Sequence, residues 1–171
     1  MKNQSLNFKF LLITFSLLLL TSKYASAQLL NSHEFLGTVF IEDEKAKDVT
    51  VKVFEGNKCF SDYQTRSNGK FIFTGENEKH YTLQFEKEGF VTKRVIIETF
   101  YTQGLTDVTK TYKFDISLER KMPEVDESLY DFPVTIIEFD YVNNEFIFNE
   151  KYTKSRLKTI FSAKNNQVVI Y

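Results

Sequence analysis

The chain has 171 residues, with 22 basic and 23 acidic side chains and a formal net charge of −1. Because there is no excess of basic residues to meet phosphate, a nucleic-acid partner is not expected. With 18 Phe, 9 Tyr and only 2 Pro, the composition is typical of an aromatic-rich β protein and excludes a disordered tail.

The first 27 residues have the three-part layout of a secretory signal peptide. Lys2 and Lys9 make the N-terminal region positively charged, and Phe10 to Leu20 is an apolar run too short for a stable membrane anchor. Small residues lie just before the predicted cleavage site. We predict cleavage between Ala27 and Gln28, export to the periplasm or the cell surface, and no transmembrane span in the mature chain. A retained N-terminal anchor is the alternative.

Removal of the signal leaves 144 residues, enough for one domain with a core, and a net charge of −4. We predict a lead-in at 28–34, a β-sandwich at 35–121 and a C-terminal appendage at 122–171. The only cysteine is Cys59, so no lipid anchor and no internal disulfide is expected. Its place in a strand-like run favours a buried hydrophobic role, whereas an exposed Cys59 could pair two chains or react.

From Phe35 onward the apolar residues alternate with polar ones, and turn residues interrupt the pattern about every eight to twelve positions. In the run TYKFDISLE, the side chains of Tyr112, Phe114, Ile116 and Leu118 alternate strictly with polar ones. Strict alternation puts one face in a core and one in water. The pattern therefore predicts an all-β protein, an antiparallel Greek-key β-sandwich of about seven strands. The predicted strands are 36–42, 49–55, 58–65, 70–74, 81–87, 91–99 and 111–119.

Two connections in this region stand out. Asn68 and Gly69 in SNGKFIF can supply the positive φ of a tight hairpin turn, after which Phe71 and Phe73 would point into the sandwich. The longest loop, 100–109, opens with Phe100 and Tyr101. Because function often lies on loops held by a rigid scaffold, these two rings predict a binding loop. The alternative is that both rings fold back over the core.

The last 50 residues predict a β-hairpin and a short helix appended to the sandwich. Asn143 and Asn144 can form the turn between strands 134–141 and 145–149. The helix, 151–165, would carry Tyr152, Leu157, Ile160 and Phe161 roughly on one face. Residues 151–164 carry five basic groups and no acid, whereas residues 121–150 carry eight acids and one base. Internal pairing is the simpler account; an anionic membrane surface or a partner is the alternative.

Motifs for catalysis or for cofactor binding are lacking. Neither His33 nor His80 lies in a cluster with metal-ligand spacing, and there is no nucleophile elbow, Walker loop or dinucleotide-binding motif. Cys59 and His80 could be imagined as nucleophile and base, but no local motif supports the pair. We therefore predict no cofactor, no metal, no catalytic residue and no enzymatic activity.

Residues 35–119 resemble the carboxypeptidase regulatory-like domain, a transthyretin-like or prealbumin-like β-sandwich. The matching features are Gly37 and Val39 in the first strand, Val49, Val51 and Phe54 in the second, the corner formed by Asn68, Gly69 and Phe71, and the segment with Tyr81, Lys87, Gly89 and Phe90. The resemblance implies a non-catalytic module, of a kind found appended to carboxypeptidases, outer-membrane receptors and envelope proteins. The zinc-carrying peptidase domain is absent, as are the residues that hydrolytic transthyretin-like enzymes require.

The expected function is that of an exported, non-catalytic binding or scaffolding module of the bacterial cell envelope. Its partner would be another envelope protein or a glycan. The alternative is a carbohydrate-binding or adhesion module that works through loop aromatics.

Overall fold

The computed structural model describes residues 32–100, 111–123 and 126–167. The predicted signal peptide, its cleavage site at Ala27 and Gln28, and most of the long loop lie outside these residues. The strands in chain order are β1 (Ser32–Ile41), β2 (Glu44–Lys45), β3 (Thr50–Glu55), β4 (Lys58–Gln64), β5 (Lys70–Glu76), β6 (His80–Glu86), β7 (Lys93–Glu98), β8 (Thr111–Lys113), β9 (Ile116–Leu118), β10 (Thr135–Asp140) and β11 (Glu145–Phe148). A 3-10 turn spans Glu127–Tyr130, and helix α1 spans Glu150–Gln167.

The strands form two sheets, and the predicted all-β sandwich is confirmed. The large sheet has six strands in the order β11-β10-β7-β6-β3-β4. The small sheet has five strands, in which β1 lies between β2 and β5 and also pairs with β8 and β9. Alternating residues of both sheets face inward, because successive side chains of a strand point to opposite faces. Fully buried members of this core include Phe35, Val39, Val49, Val51, Leu83, Phe85, Val95, Ile97 and Ile137.

Three pairings are parallel rather than antiparallel as expected. Strands β8 and β9 both run parallel to β1, and β10 runs parallel to β7. Alternation fixes which side chains are buried but carries no information on the direction of the neighbouring strand, so this feature could not be predicted from the pattern.

The strand predicted at 111–119 is interrupted at Phe114 and Asp115. The Asp115 carboxylate accepts a hydrogen bond from the Thr38 N–H at 2.9 Å, where a continuous strand would offer a backbone carbonyl. At the same place a Cβ on Gly37 would lie 1.8 Å from the Phe114 carbonyl oxygen. The glycine therefore allows β1 to approach the irregular backbone between β8 and β9.

Asn68 and Gly69 form a corner between the two sheets, not the predicted hairpin turn. The turn joins β4 of the large sheet to β5 of the small sheet. Gly69 has the predicted positive φ, 70°, and its carbonyl accepts the Val39 N–H at 2.9 Å. The predicted faces of the following strand are confirmed, since Phe71 and Phe73 are buried and Ile72 is exposed.

The C-terminal hairpin completes the large sheet instead of standing as an appendage. Its strands β10 and β11 pair with each other, and β10 also pairs with β7. Ile137, Phe139 and Phe146 belong to the same buried cluster as the residues of the sandwich. Described residues from His33 onward therefore form one compact unit.

Helix α1 has 18 residues and packs only one narrow face against the rest of the chain. Ile160 is buried with Val91 and Tyr130 in a second, small cluster. Leu157 and Phe161, predicted to lie roughly on one face with Tyr152 and Ile160, are exposed. They flank the buried face, because Leu157 lies about 60° and Phe161 about 100° from Ile160 around the helix, on the side away from Tyr152. No described helix is both long and apolar enough to cross a membrane.

Candidate functional site

Three neighbouring strands of the large sheet bring aromatic residues to one end of the molecule. Parallel strands β7 and β10 end there, and the antiparallel strand β6 begins there, with His80 opposite Glu98. Phe100 follows β7 and Tyr141 follows β10. We call His80, Phe100, Tyr141 and Val142 the aromatic end.

The rings of the aromatic end are held by contacts on one side and are open to solvent on the other. The His80 and Phe100 ring centroids are 4.5 Å apart at an interplanar angle of 57°. The Tyr141 hydroxyl donates a hydrogen bond to the Phe100 carbonyl at 3.2 Å, and its ring meets Phe139 edge-on at 5.4 Å. Phe100 is 39% exposed and Tyr141 is 59% exposed. Ring area therefore remains available for contact.

Thr99 fixes the backbone beneath the aromatic end. Its buried hydroxyl donates to the Glu76 carbonyl at 2.6 Å and accepts from the Lys79 N–H at 3.0 Å. Its backbone N–H donates to the Lys79 carbonyl, and its carbonyl accepts from the Glu78 N–H, both at 3.0 Å. The connection between β5 and β6 is thereby tied to the end of β7.

The turn between β10 and β11 is the second support of the aromatic end. Asp140 accepts hydrogen bonds from the Val142 N–H at 2.8 Å and from the Asn143 side-chain amide at 2.6 Å. These bonds, the backbone bond first, lower the pKa of Asp140. Asn144 takes the predicted positive φ, 59°, so the turn prediction is confirmed. Val142, at the tip, is 91% exposed.

A second carboxylate, that of Glu98, borders the aromatic end at His80. Glu98 Oε1 lies 3.6 Å from His80 Nδ1, and the two form an ion pair when the imidazole is protonated. Across the described residues there is no group of three or more His, Cys, Asp or Glu side chains that could hold a metal ion. The site offers ring faces for stacking and a carboxylate that accepts hydrogen bonds.

The structure brings together some of the residues singled out in the sequence and separates others. Phe100 is at the aromatic end, while Tyr101 lies outside the described residues.

Cys59 is exposed on β4, contrary to the preferred buried position, and its thiol donates to the Ser61 carbonyl. Cys59 lies opposite Phe54 of β3, beyond which lies Thr82 of β6. Since two strand spacings are roughly 10 Å, Cys59 is out of hydrogen-bond reach of His80.

Sequence reasoning missed His80 and Tyr141 as neighbours of Phe100. In the sequence, His80 stands out only as a potential ligand or base, and Tyr141 only as the end of a hairpin strand. Their common location follows from the strand order β6-β7-β10, which no local signal reveals.

At the opposite end of β7, a charged cluster fastens helix α1. Glu119 accepts hydrogen bonds from Lys164, from Lys93 at 2.9 Å and from the Tyr130 hydroxyl at 3.1 Å. Burial raises the pKa of Glu119, but the bonds from Lys164 and Lys93 outweigh it and lower the pKa to about 2. Lys164 thus pairs internally, although with Glu119 and not with the acidic segment 121–150. Lys154 pairs with Glu150 of that segment, on the helix itself.

No protein-family model and no curated protein matches the chain. Among solved structures, the chain is similar to the 3-chlorocatechol 1,2-dioxygenase of Rhodococcus opacus (10% identity over 53% of this chain and 60% of that one, TM-score 0.40). A catechol 1,2-dioxygenase of an Acinetobacter species matches with 15% identity over 60% of this chain and 57% of that one, TM-score 0.41. The pilus 2b backbone protein of group B streptococcus matches with 14% identity over 53% and 42%, TM-score 0.37. The chain spans less than two thirds of the length of each of these three structures.

These neighbours correct one prediction. The expectation that the chain is not an enzyme is wrong on this comparison, because catechol and hydroxyquinol 1,2-dioxygenases are among the similar structures. The likeness concerns the fold, and it carries no activity, substrate or site residue to this chain.

Proposed function

We propose that the chain is an exported binding or scaffolding module of the bacterial cell envelope, and that the aromatic end is its contact surface. The proposal rests on one structural observation: exposed aromatic and apolar side chains meet on a backbone fixed by Thr99 and by the β10–β11 turn. Aromatic residues on a rigid support are the usual anchors of binding surfaces. The signal-like first 27 residues support the export part of the proposal.

The resemblance to the carboxypeptidase regulatory-like domain agrees with this proposal but stays a prediction. Such modules serve a larger assembly, so a partner is expected in the same compartment. The net charge of −4 in the mature chain argues against a nucleic acid as that partner.

The export part is tested by expressing the full chain in a Gram-negative host and fractionating the cells. We expect the product in the periplasm or on the surface, with an intact mass that places its N-terminus at Gln28. A full-length product in the cytoplasm would contradict it.

The contact surface is tested by pull-down from envelope extract with residues 28–171. The double variant Tyr141→Ser, Val142→Ser should lose the partners that the unaltered chain retains, since both side chains are exposed and neither belongs to the core. Phe161→Ser is the matched control, because Phe161 is 62% exposed but lies on helix α1. Identical partner lists for all three proteins would remove the aromatic end from the proposal.

A glycan is the second candidate ligand, and the pair of exposed rings with Glu98 beside them favours it. Sugar rings present C–H groups to aromatic faces and hydroxyl groups to carboxylates. On a glycan array, binding should disappear in the variant Phe100→Ala, Tyr141→Ser. Binding that survives both substitutions would exclude this site.

A further inference from the structure

Strand β5 is an open edge of the small sheet. It lies at the end of the order β2-β1-β5, and no other described strand pairs with its outer side. It has seven residues, with Phe71, Phe73 and Gly75 inward and the other four exposed. An edge of this length is a template for another strand.

The remaining edges of the two sheets carry features that oppose such pairing. Strand β4 has a bulge in its ladder with β3, and β2 has only two residues. Strand β11 has four residues, and the edge formed by β8 and β9 is broken at Phe114 and Asp115. Short, bulged or interrupted edges are how proteins avoid unwanted pairing.

The backbone groups on this edge can be identified from their neighbours. Gly69, just before the strand, gives its carbonyl to Val39 of β1, so odd-numbered residues face β1 and even-numbered residues face outward. At the far end, the N–H and the carbonyl of Glu76 are bonded to the Tyr81 and Thr99 hydroxyls. Ile72 and Thr74 are left to offer their N–H and C=O groups to a partner strand.

The sequence of β5 is complementary to itself in one antiparallel register. With Phe73 on a two-fold axis, Lys70 lies opposite Glu76 of the second copy and Ile72 lies opposite Thr74 of the second copy. Ile72 and Thr74 then form hydrogen-bonded pairs, with about four backbone hydrogen bonds in all. We propose that two copies of this chain associate through β5 in this register and join their small sheets into one.

Charge and exposure favour a second copy over an unrelated strand. A lysine on an edge usually opposes pairing, but here the symmetry places a glutamate opposite it on both sides of the axis. Ile72, which is 51% exposed, would be covered by Thr74 of the second copy. The proposal does not depend on the ligand or on the location of the protein in the cell.

The association is tested by sedimentation equilibrium on residues 28–171. We expect a concentration-dependent dimer. Lys70→Glu and Glu76→Lys each replace two opposite-charge pairs by two like-charge pairs, so each should raise the dimer Kd by about tenfold. A mixture of the two variants should form a heterodimer with all pairs restored. Lys113→Glu, an exposed change on β8, is the matched control and should leave the Kd unchanged.

Urea unfolding of each variant separates lost association from lost folding, since Lys70 and Glu76 are both exposed. A chain that stays monomeric at roughly millimolar concentration would overturn the proposal. So would a dimer that is indifferent to both charge changes, or a mixture that associates no better than the single variants.

Discussion

At the scale of single residues, Gly37 is required by a close approach of two backbones. Its substitution by alanine would place a Cβ 1.8 Å from the Phe114 carbonyl oxygen and 2.6 Å from the Phe71 ring. Because β1 or the β8–β9 backbone must move, we expect Gly37→Ala to lower the free energy of unfolding by about 3 kcal/mol. Urea denaturation measures the loss.

The control for this change is Gly56→Ala. Gly56 has a φ of 59° and nothing within 4 Å of an added Cβ, so only backbone strain is expected, about 1 kcal/mol. Equal losses in the two variants would show that the contact with Phe114 is not the cause.

Thr99 is the residue on which the support of the aromatic end depends. Thr99→Val keeps the shape of the side chain but removes a donor to Glu76 and an acceptor for Lys79. We expect a loss of about 1–3 kcal/mol, since both backbone groups are left without their partner. Hydrogen exchange should show faster exchange of the Lys79 amide. Thr99→Ser retains the hydroxyl, so it should preserve that protection.

At the scale of elements, the docking of helix α1 depends on the ionisation of Glu119. Its pKa of about 2 lies below the ordinary value of 4.5, so the folded state favours the carboxylate. The stabilisation is present above about pH 4.5 and is lost as the pH falls towards 2. We expect limited proteolysis to cut α1 faster at pH 3 than at pH 7.

Glu119→Gln should expose α1 to cleavage already at pH 7 and should reduce the difference between the two pH values. Glu150→Gln is the control, because Glu150 pairs with Lys154 on the exposed surface of the helix. Cleavage of α1 that depends equally on both residues would contradict the role of the Glu119 cluster.

Some features of the secondary-structure elements could be predicted from the sequence, and others could not. The burial of Phe71 and Phe73, and the turn at Asn144, were predictable because they depend on local alternation and on local backbone preference. The parallel pairing of β7 with β10 was not, since β8, β9 and the 3-10 turn lie between these two strands in the chain. The aromatic end depends on that pairing, so Phe100 alone could be proposed from the sequence.

The exposed face of α1 shows the same limit. A helical wheel groups Leu157 with Ile160, yet only Ile160 meets the buried Val91 and Tyr130. Tertiary contacts determine which side of the helix is buried. One of them is the hydrogen bond that the Tyr152 hydroxyl donates to the Pro133 carbonyl at 2.9 Å. The partners in these contacts lie outside the helix, so the helix sequence carries no periodic signal of them.

At the scale of the whole molecule, the sandwich is not complete without its C-terminal hairpin. Phe146 meets Phe35 edge-on at a centroid distance of 5.1 Å and also contacts His33 at 4.9 Å. Loss of a buried Phe side chain alone costs about 3–5 kcal/mol, against a total stability of about 5–15 kcal/mol for a domain. Two further core residues, Ile137 and Phe139, come from the same hairpin.

Truncation after Lys121 should therefore yield a chain without a cooperative unfolding transition. Truncation after Asn149 removes only α1 and should leave a folded but less stable sandwich, because Ile160 belongs to the smaller cluster with Val91 and Tyr130. Circular dichroism during thermal unfolding distinguishes the two products. If residues 28–121 unfold cooperatively, the hairpin is dispensable for the fold, and the aromatic end could be removed whole to test binding. If they do not, binding must be tested with the surface substitutions Tyr141→Ser and Val142→Ser, which leave the core intact.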